Sequence, residues 1–308
     1  MSFMAFVVVA KAQLLNENFN YTVGSVLAGQ GNWGIDTNIG GNPIFVTAAS
    51  ITYPGYPSSG IGQEVSITTS GQDVANTFTT QTAGYVYYSL LVNLSAAQNR
   101  GDYFLNLSQP GSSDPYFGLI YATLSGTNFV FGILNTYLGT GSSPTFTATS
   151  YNLNTTYLLV VKVNVITGQS SLIVNPSMTT EPIDGWISNS SSTTMPSVNG
   201  FNHIIIRQGN ALYAPTLKLD GIRVATSWNS LFPTTGLSTP KADVLSLSLS
   251  GKNLSVKNVE NGSLVEIYTT VGAKVHTAIL ENGSIQLYDL SKGMYIVRVG
   301  NRSSKIVF

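Results

Sequence analysis

From Gln13 onward the chain is built of short apolar segments separated by turn clusters, and no stretch carries the pattern of an amphipathic helix. VYYSLLVNL (86–94), DYFLNLS (102–108), YFGLIYATL (116–124) and FVFGIL (129–134) are rich in β-branched and aromatic residues, which suit a pleated, half-buried surface. NRG, QPGSSD, SGTN and GTGSSP bound them and supply the backbone freedom that turns need. TYLLVVKVNV (156–165) and SSLIVNP (170–176) flank the turn-like ITGQ, which predicts a hairpin. Many short strands with frequent turns predict a jelly-roll β-sandwich, and residues 13–231 are long enough for one sandwich of two large sheets.

The pattern changes at FPTTGLSTPKAD (232–243), where Pro, Gly and Thr replace the apolar runs, so residues 232–242 read as a linker. Residues 243–308 alternate more tightly: VLSLSLS, NLSVKNV, LVEIYTT, KVHTAIL, SIQLYDL, MYIVRV and KIVF. Seven short strands at this spacing predict a small immunoglobulin-like β-sandwich. Asn261-Gly262 and Asn282-Gly283 read as hairpin turns, because both residue types tolerate positive φ. The final strand runs to the apolar Phe308, which must be packed, read by a partner, or both. The predicted fold class is all-β throughout.

Charge is the anomaly. Only 9% of the residues are Asp, Glu, Lys or Arg, against about 25% in an average soluble domain. Fourteen basic and fourteen acidic side chains give a formal net charge of zero, leaving no field to gather nucleic acid or an anionic membrane surface. The absence of Cys excludes disulfides, thiolate metal sites and thiol nucleophiles. Apolar residues make up 43% of the chain, yet no run approaches the roughly 18 residues of a transmembrane segment.

At the N-terminus, an apolar run from Phe3 to Ala10 leads into the small-x-small triplet Ala10, Lys11, Ala12. This is the core and cleavage site of a secretory signal, so residues 1–12 read as a signal-peptide remnant with Gln13 as the first mature residue. Only Met1 and Ser2 precede the run, in place of a basic leading region, which points to a start further upstream. A buried first strand is the alternative.

The set VEIYTTVGAKV, IQLYDLSKGMYIVRV and SKIVF resembles the C-terminal sorting domain of type IX secretion cargo, a family of Gram-negative gliding bacteria and their relatives. The family's Leu-x-x-Gly-x-Tyr-x-Val core and final Lys-apolar strand fall on Leu290, Gly293, Tyr295, Val297, Lys305, Ile306 and Val307. The Tyr-Pro-Asn-Pro opening common in that family is replaced by KADVLSLSLS. The resemblance implies the type IX secretion machinery as partner, and a secreted or outer-cell-surface destination in a Gram-negative bacterium. From the residues alone, Gly293 offers a turn conformation, and Tyr295, Val297 and Val299 alternate onto the core face of a strand.

NENFNYTVGSVL, ITYPGYPSSGIG, SGQDVANTF, GDYFLNLS, LLVVKVNVITG, IRQG and DGIRVATSW are similar to the concanavalin-like, laminin-G-like jelly roll. That fold binds sugars or serves as a glucanase in other proteins, so the chemistry has to be sought in individual residues. Retaining glucanases of this kind carry Glu-x-Asp-x-x-Glu on one strand, and no such string occurs here. Glu17, Glu64 and Glu181 stand singly, and Asp73, Asp102, Asp114 and Asp184 lie in turn-rich sequence where capping is the ordinary role. His203 and His276 have no Gly-x-Ser-x-Gly elbow beside them. The expectation is a protein without catalytic residues or cofactor; carboxylates that meet only on folding are the alternative. Calcium held by Asp and backbone carbonyls stays open, with Asp36, Asp73, Asp114 and Asp220 as candidate ligands.

A sugar presents an apolar face and a hydroxyl rim, so a glycan site calls for an aromatic platform ringed by amides or carboxylates. Trp33 with Asn32 and Asp36 fits that description, as do Tyr53, Tyr56 and Tyr116. Aromatics more often fill sandwich cores, and Trp228, on a closing strand, reads as structural. The leading expectation is a carbohydrate-binding or adhesive module; a glycan-active hydrolase and a filament or surface-layer component are the rivals.

Overall fold

Alternating large apolar residues give each strand one face to bury, and the strands pair so that those faces coincide. The structure, a computed structural model, describes residues 13–38, 41–68, 70–109, 116–136, 143–189, 199–233, 245–257, 259–300 and 302–308. The chain divides into two units, Met1–Pro233 and Thr234–Phe308, a division that falls within the linker-like segment.

The described strands of the first unit are β1 (Gln13–Glu17), β2 (Gly34–Asn38), β3 (Phe45–Thr47), β4 (Glu64–Ile67), β5 (Gln72–Gln81), β6 (Tyr85–Ala96), β7 (Asp102–Ser108) and β8 (Tyr116–Ser125). They continue as β9 (Asn128–Thr136), β10 (Thr145–Phe146), β11 (Thr156–Asn164), β12 (Ser170–Val174), β13 (Ile187–Ser188), β14 (Phe201–Ile206) and β15 (Thr216–Ala225). One sheet has the order β13-β12-β11-β6-β15-β4-β3, with β1 also on β15; the other runs β10-β9-β8-β7-β14-β5-β2. All described pairings are antiparallel, as a jelly-roll β-sandwich requires. Inward residues of both sheets, among them Tyr88, Leu90, Phe104, Phe117, Phe131 and Ile204, form one core. The predicted hairpin at 165–169 is present, with Val163 opposite Ser170.

The outer face of the eight-stranded sheet is covered as well. Ile51, Tyr56, Tyr87, Leu91, Trp228 and Phe232 form a second apolar cluster there. Trp228 is structural, but on a one-turn helix, α1 (Trp228–Leu231), rather than on a strand. Its ring is buried at 4% exposure and packs edge-on against Phe232, while its indole N–H donates to the Met178 carbonyl.

The second unit holds β16 (Ser246–Ser250), β17 (Asn253–Lys257), β18 (Leu264–Thr269), β19 (Lys274–Ile279), β20 (Ser284–Gln286), β21 (Met294–Val299) and β22 (Arg302–Val307). These form a three-stranded sheet, β16-β17-β20, and a four-stranded sheet, β19-β18-β21-β22. Leu254, Val256 and Ile285 of the first share a core with Val265, Ile267, Val297 and Ile306 of the second. Of the two Asn-Gly turns, Asn282-Gly283 makes the tight hairpin turn read from sequence, with Glu281 and Ser284 bridged antiparallel, and Asn261-Gly262 does not. Asn282 and Gly283 both have positive φ, as a primed turn demands, but the arms β19 and β20 belong to different sheets. Asn261-Gly262 likewise bridges the sheets, with positive φ only at Gly262, and Asn261 Oδ1 accepts the Gly283 N–H at 3.0 Å.

Candidate functional site

The sorting-motif residues gather on the last hairpin and split between its two faces. Tyr295, Val297 and Ile306 are buried in the small core, and Leu290 packs against it. Lys305 and Val307 point outward, on the face that also carries Ile296 and Met294 in register. The Tyr295 hydroxyl donates to the Ser291 carbonyl at 2.9 Å and ties the preceding turn to the strand. Gly293 requires a correction: its φ is not positive, so it serves no left-handed turn. A Cβ there would meet the Tyr295 ring at 3.5 Å, an ordinary contact.

Gln13 opens β1 opposite Ala225, whereas Ala10 and Ala12 lie outside the described residues. The platform expected at Trp33 is also corrected. Trp33 is 2% exposed, stacked on Phe19 at 5.9 Å, with its indole N–H donating to Glu17 Oε2 at 2.9 Å. Glu17 also accepts from the Phe19 N–H and the Tyr21 hydroxyl, so one buried carboxylate organises the loop after β1. Asn32 stands exposed in the adjoining turn and Asp36 lies on the edge strand β2, but the ring between them faces the core. Tyr56 is buried at 4% exposure, and its hydroxyl donates to the Gly221 carbonyl at 2.5 Å. Tyr53 packs against the same outer cluster. Each of these rings is held by a buried partner, and aromatic area inside a sandwich outweighs display at its surface.

Tyr116 is different. It sits on the outer face of the seven-stranded sheet with Tyr103 and Tyr121 over Leu119 and Leu134. Tyr103 to Tyr116 is 6.0 Å between ring centroids and Tyr103 to Tyr121 is 5.5 Å. The register extends the group across four strands: Tyr103 of β7 lies opposite Tyr121 of β8, Tyr121 opposite Gly132 of β9, and Gly132 opposite Phe146 of β10. Gly132 is required by this packing. A Cβ there would stand 2.7 Å from the Phe146 ring, which lies over the glycine toward Tyr121. The row therefore spans three strand spacings, about 14 Å.

Arg207 closes the Tyr103 end. Its guanidinium carbon is 4.0 Å from the Tyr103 ring centroid, and Nη1 pairs with Asp102 Oδ2 at 2.8 Å. Burial pushes the Tyr103 phenol well above its ordinary range, with Arg207 pulling in the other direction. Tyr103, Tyr121, Phe146 and Arg207 were not nominated by sequence reasoning. The signal for Tyr103, Tyr121 and Arg207 was present in GDYFLNLS, YFGLIYATL and IRQG, strings that only pairing brings together, whereas Phe146 falls in PTFTATS, outside any segment singled out from sequence.

Several of the scattered carboxylates are engaged, while Asp184 stands exposed in the bend before β13. Glu181 pairs with Lys162 at 2.8 Å, Glu64 with Lys218 at 2.5 Å, and Asp73 Oδ1 accepts the Gln208 N–H at 2.8 Å. Asp220 accepts from Ser50 Oγ, the Ile51 N–H and the Gly221 N–H, all donors, which is the reverse of a calcium ligand's surroundings. Burial raises the Asp220 carboxyl to about 7, and nearby Glu64 adds to the rise. Both are buried; Asp220 holds Ser50 and Ile51 of the segment after β3 to the sheet, and Glu64 accepts from Thr47 Oγ1 of β3. Asp114 lies outside the described residues. Among the described residues no three His, Asp or Glu side chains come together as a metal site. His203 pairs across β14 with Ser108 and Thr77, and burial lowers its pKa; His276 lies on β19.

No curated protein matches the chain. Among solved structures, it is similar to the T. cruzi calreticulin globular domain at 9% identity and TM-score 0.43, covering 72% of this chain and 90% of that one. The CBM2 module of the Lactobacillus casei BL23 phage J-1 evolved Dit is similar at 12% identity and TM-score 0.39, covering 69% and 96%. The Botulinum neurotoxin serotype D ligand-binding domain, solved in complex with N-acetylneuraminic acid, is similar at 10% identity and TM-score 0.40, covering 96% and 73%. Residues 239–307 match the family model of the secretion system C-terminal sorting domain. The chain thus carries, behind a jelly-roll β-sandwich, a type IX sorting domain that addresses it for export.

Proposed function

We propose that this is a non-enzymatic protein of the outer cell surface or medium of a Gram-negative bacterium, whose large sandwich binds saccharides. Its N-terminal apolar run, ended by Ala10 and Ala12, carries it across the inner membrane, and the folded sorting domain takes it across the outer one. The observation that supports binding is the half-buried Tyr121 beside Phe146, 36% exposed, on the outer sheet face, with the buried Tyr103 ring packed against Tyr121 and the Arg207–Asp102 pair at that end. Rings on rigid neighbouring strands offer flat apolar area at low conformational cost. The Arg207–Asp102 pair adds donors and acceptors for hydroxyl groups.

A hydrolase would need one carboxyl to move a proton while another attacks or activates water. Glu17, Glu64, Glu181, Asp102 and Asp220 are instead each tied to fixed donors, which favours the binding reading. The test is an oligosaccharide array probed with the purified chain and with Tyr121→Ala. Retention of specific glycans by the first, and at least tenfold weaker retention of at least one of them by the second, is the expected result. An array without signal, or equal signal from both proteins for every glycan retained, contradicts the proposal.

A further inference from the structure

A second place on the large unit combines exposed aromatic surface with polar groups, on the outer face of the other sheet. Tyr85 and Tyr87 are two apart on β6 and so share a face, with ring centroids 6.2 Å apart; Tyr85 is 44% exposed. They lie along an open cleft of about 420 Å³ whose walls are Thr180 and Glu181 on one side and Thr226, Ser227, Trp228 and Asn229 on the other.

The walls are locked in place. Glu181 Oε1 pairs with Lys162 Nζ at 2.8 Å and Oε2 accepts the Tyr87 hydroxyl at 3.0 Å. Lys162 Nζ lies 4.2 Å over the Trp186 ring, and Trp186 meets Trp228 edge-on at 6.0 Å. The segment bearing Glu181 is therefore tied through two tryptophans to the helical turn bearing Asn229, and the cleft is organised before any ligand arrives.

The chemistry is selective. Among the described side chains that line the cleft, Glu181 alone is charged, and Lys162 behind it balances that charge. An ionised carboxyl has about four lone-pair sites, so two remain for ligand hydroxyls after Lys162 and Tyr87 are served. Thr180, Ser227 and Asn229 add hydroxyl and amide groups, and the Tyr85 ring adds an apolar face. An anionic ligand would meet the Glu181 carboxylate, while a cationic one finds that charge already paired. We infer that the Tyr85–Glu181–Asn229 cleft is a second, independent saccharide site, selective for neutral sugars and sized for roughly one or two rings. It is separate from the Tyr121 row on the opposite sheet and does not depend on it.

The experiment titrates the full chain with cellobiose, chitobiose, mannobiose and galactobiose, and with digalacturonate as the acidic counterpart of the last, read by saturation-transfer NMR and by Trp emission. At least one neutral disaccharide should bind, with affinity lowered tenfold or more by Tyr85→Ala and several-fold by Asn229→Ala. Tyr121→Ala should leave that affinity unchanged, and digalacturonate should bind at least tenfold more weakly than galactobiose. Both cleft positions are on the surface, so melting temperatures identical to the parent are expected and verify folding. No binding by any neutral disaccharide, unchanged affinity in Tyr85→Ala, or equal affinity for galactobiose and digalacturonate each overturns the inference. Loss of binding in Tyr121→Ala with none in Tyr85→Ala would keep the row and remove the cleft.

Discussion

Gly293 and Phe308 exchange both of their backbone hydrogen bonds: the Gly293 N–H donates to the Phe308 carbonyl at 3.0 Å, and the Phe308 N–H to the Gly293 carbonyl at 2.8 Å. The apolar end of the chain is thus a paired strand end. Its side chain packs against the small core, so the strand that carries half of the sorting motif is held along its whole length.

Ile306 and Val307 should respond in opposite ways to truncation. Ile306 is 7% exposed and Val307 68%, so Ile306→Ala should cost about 2–5 kcal/mol and Val307→Ala less than about 0.5 kcal/mol. A sandwich this small holds only about 3–5 kcal/mol, so the first change should unfold the unit. All three tryptophans lie in the first unit and are blind to this event. Hydrogen exchange of peptides over 294–307 reports it directly, and equal protection in the two variants would refute the burial argument.

Gly293→Ala should leave the small unit at its present stability or raise it by up to about 1 kcal/mol, because φ is not positive there and the unfolded chain loses freedom. The same exchange measurement decides it; a loss above about 1 kcal/mol would mean that the glycine is required by the fold.

The hydrophobic pattern carried the architecture well. Each of the seven closing segments became a strand, and VYYSLLVNL became the centre of β6, because alternation and turn chemistry are local properties. Partner choice was not legible. Asn261-Gly262 joins two sheets, since turn residues specify a local bend and leave the destination of the arms to the core. Trp33 looked like a platform because its neighbours in sequence are polar; Glu17, sixteen residues earlier, supplies the buried partner that draws it inward. The Tyr103–Tyr121–Phe146 row exists only through pairing across β7 to β10, which composition does not encode.

Trp33→Phe keeps the ring on Phe19 but strips one donor from the buried Glu17 carboxylate. It should lower the stability of the large unit by about 1–3 kcal/mol without weakening sugar binding. Urea unfolding followed by the emission of the other two tryptophans measures the first effect. Loss of glycan retention in a folded Trp33→Phe protein would return the site to the position read from sequence.

Asp220 predicts a pH dependence with a definite sign. Its carboxyl is raised from 3.8 to about 7, so the folded state binds this proton more tightly than the unfolded chain does. The associated stability is fully present below about pH 4 and is lost as pH rises through about 7, by an amount on the order of 4 kcal/mol. Melting temperatures of the large unit should fall between pH 5 and pH 8, and Asp220→Asn should flatten that slope. A melting temperature that rises over the same interval contradicts the assignment.

Export is the point on which the functional account turns, and it is measured most directly by fractionating the producing cells with and without residues 239–308. The full chain should reach the outer surface or the medium, and the truncated chain should accumulate in the periplasm with its large unit folded. Truncated protein arriving outside at the yield of the full chain would contradict the account.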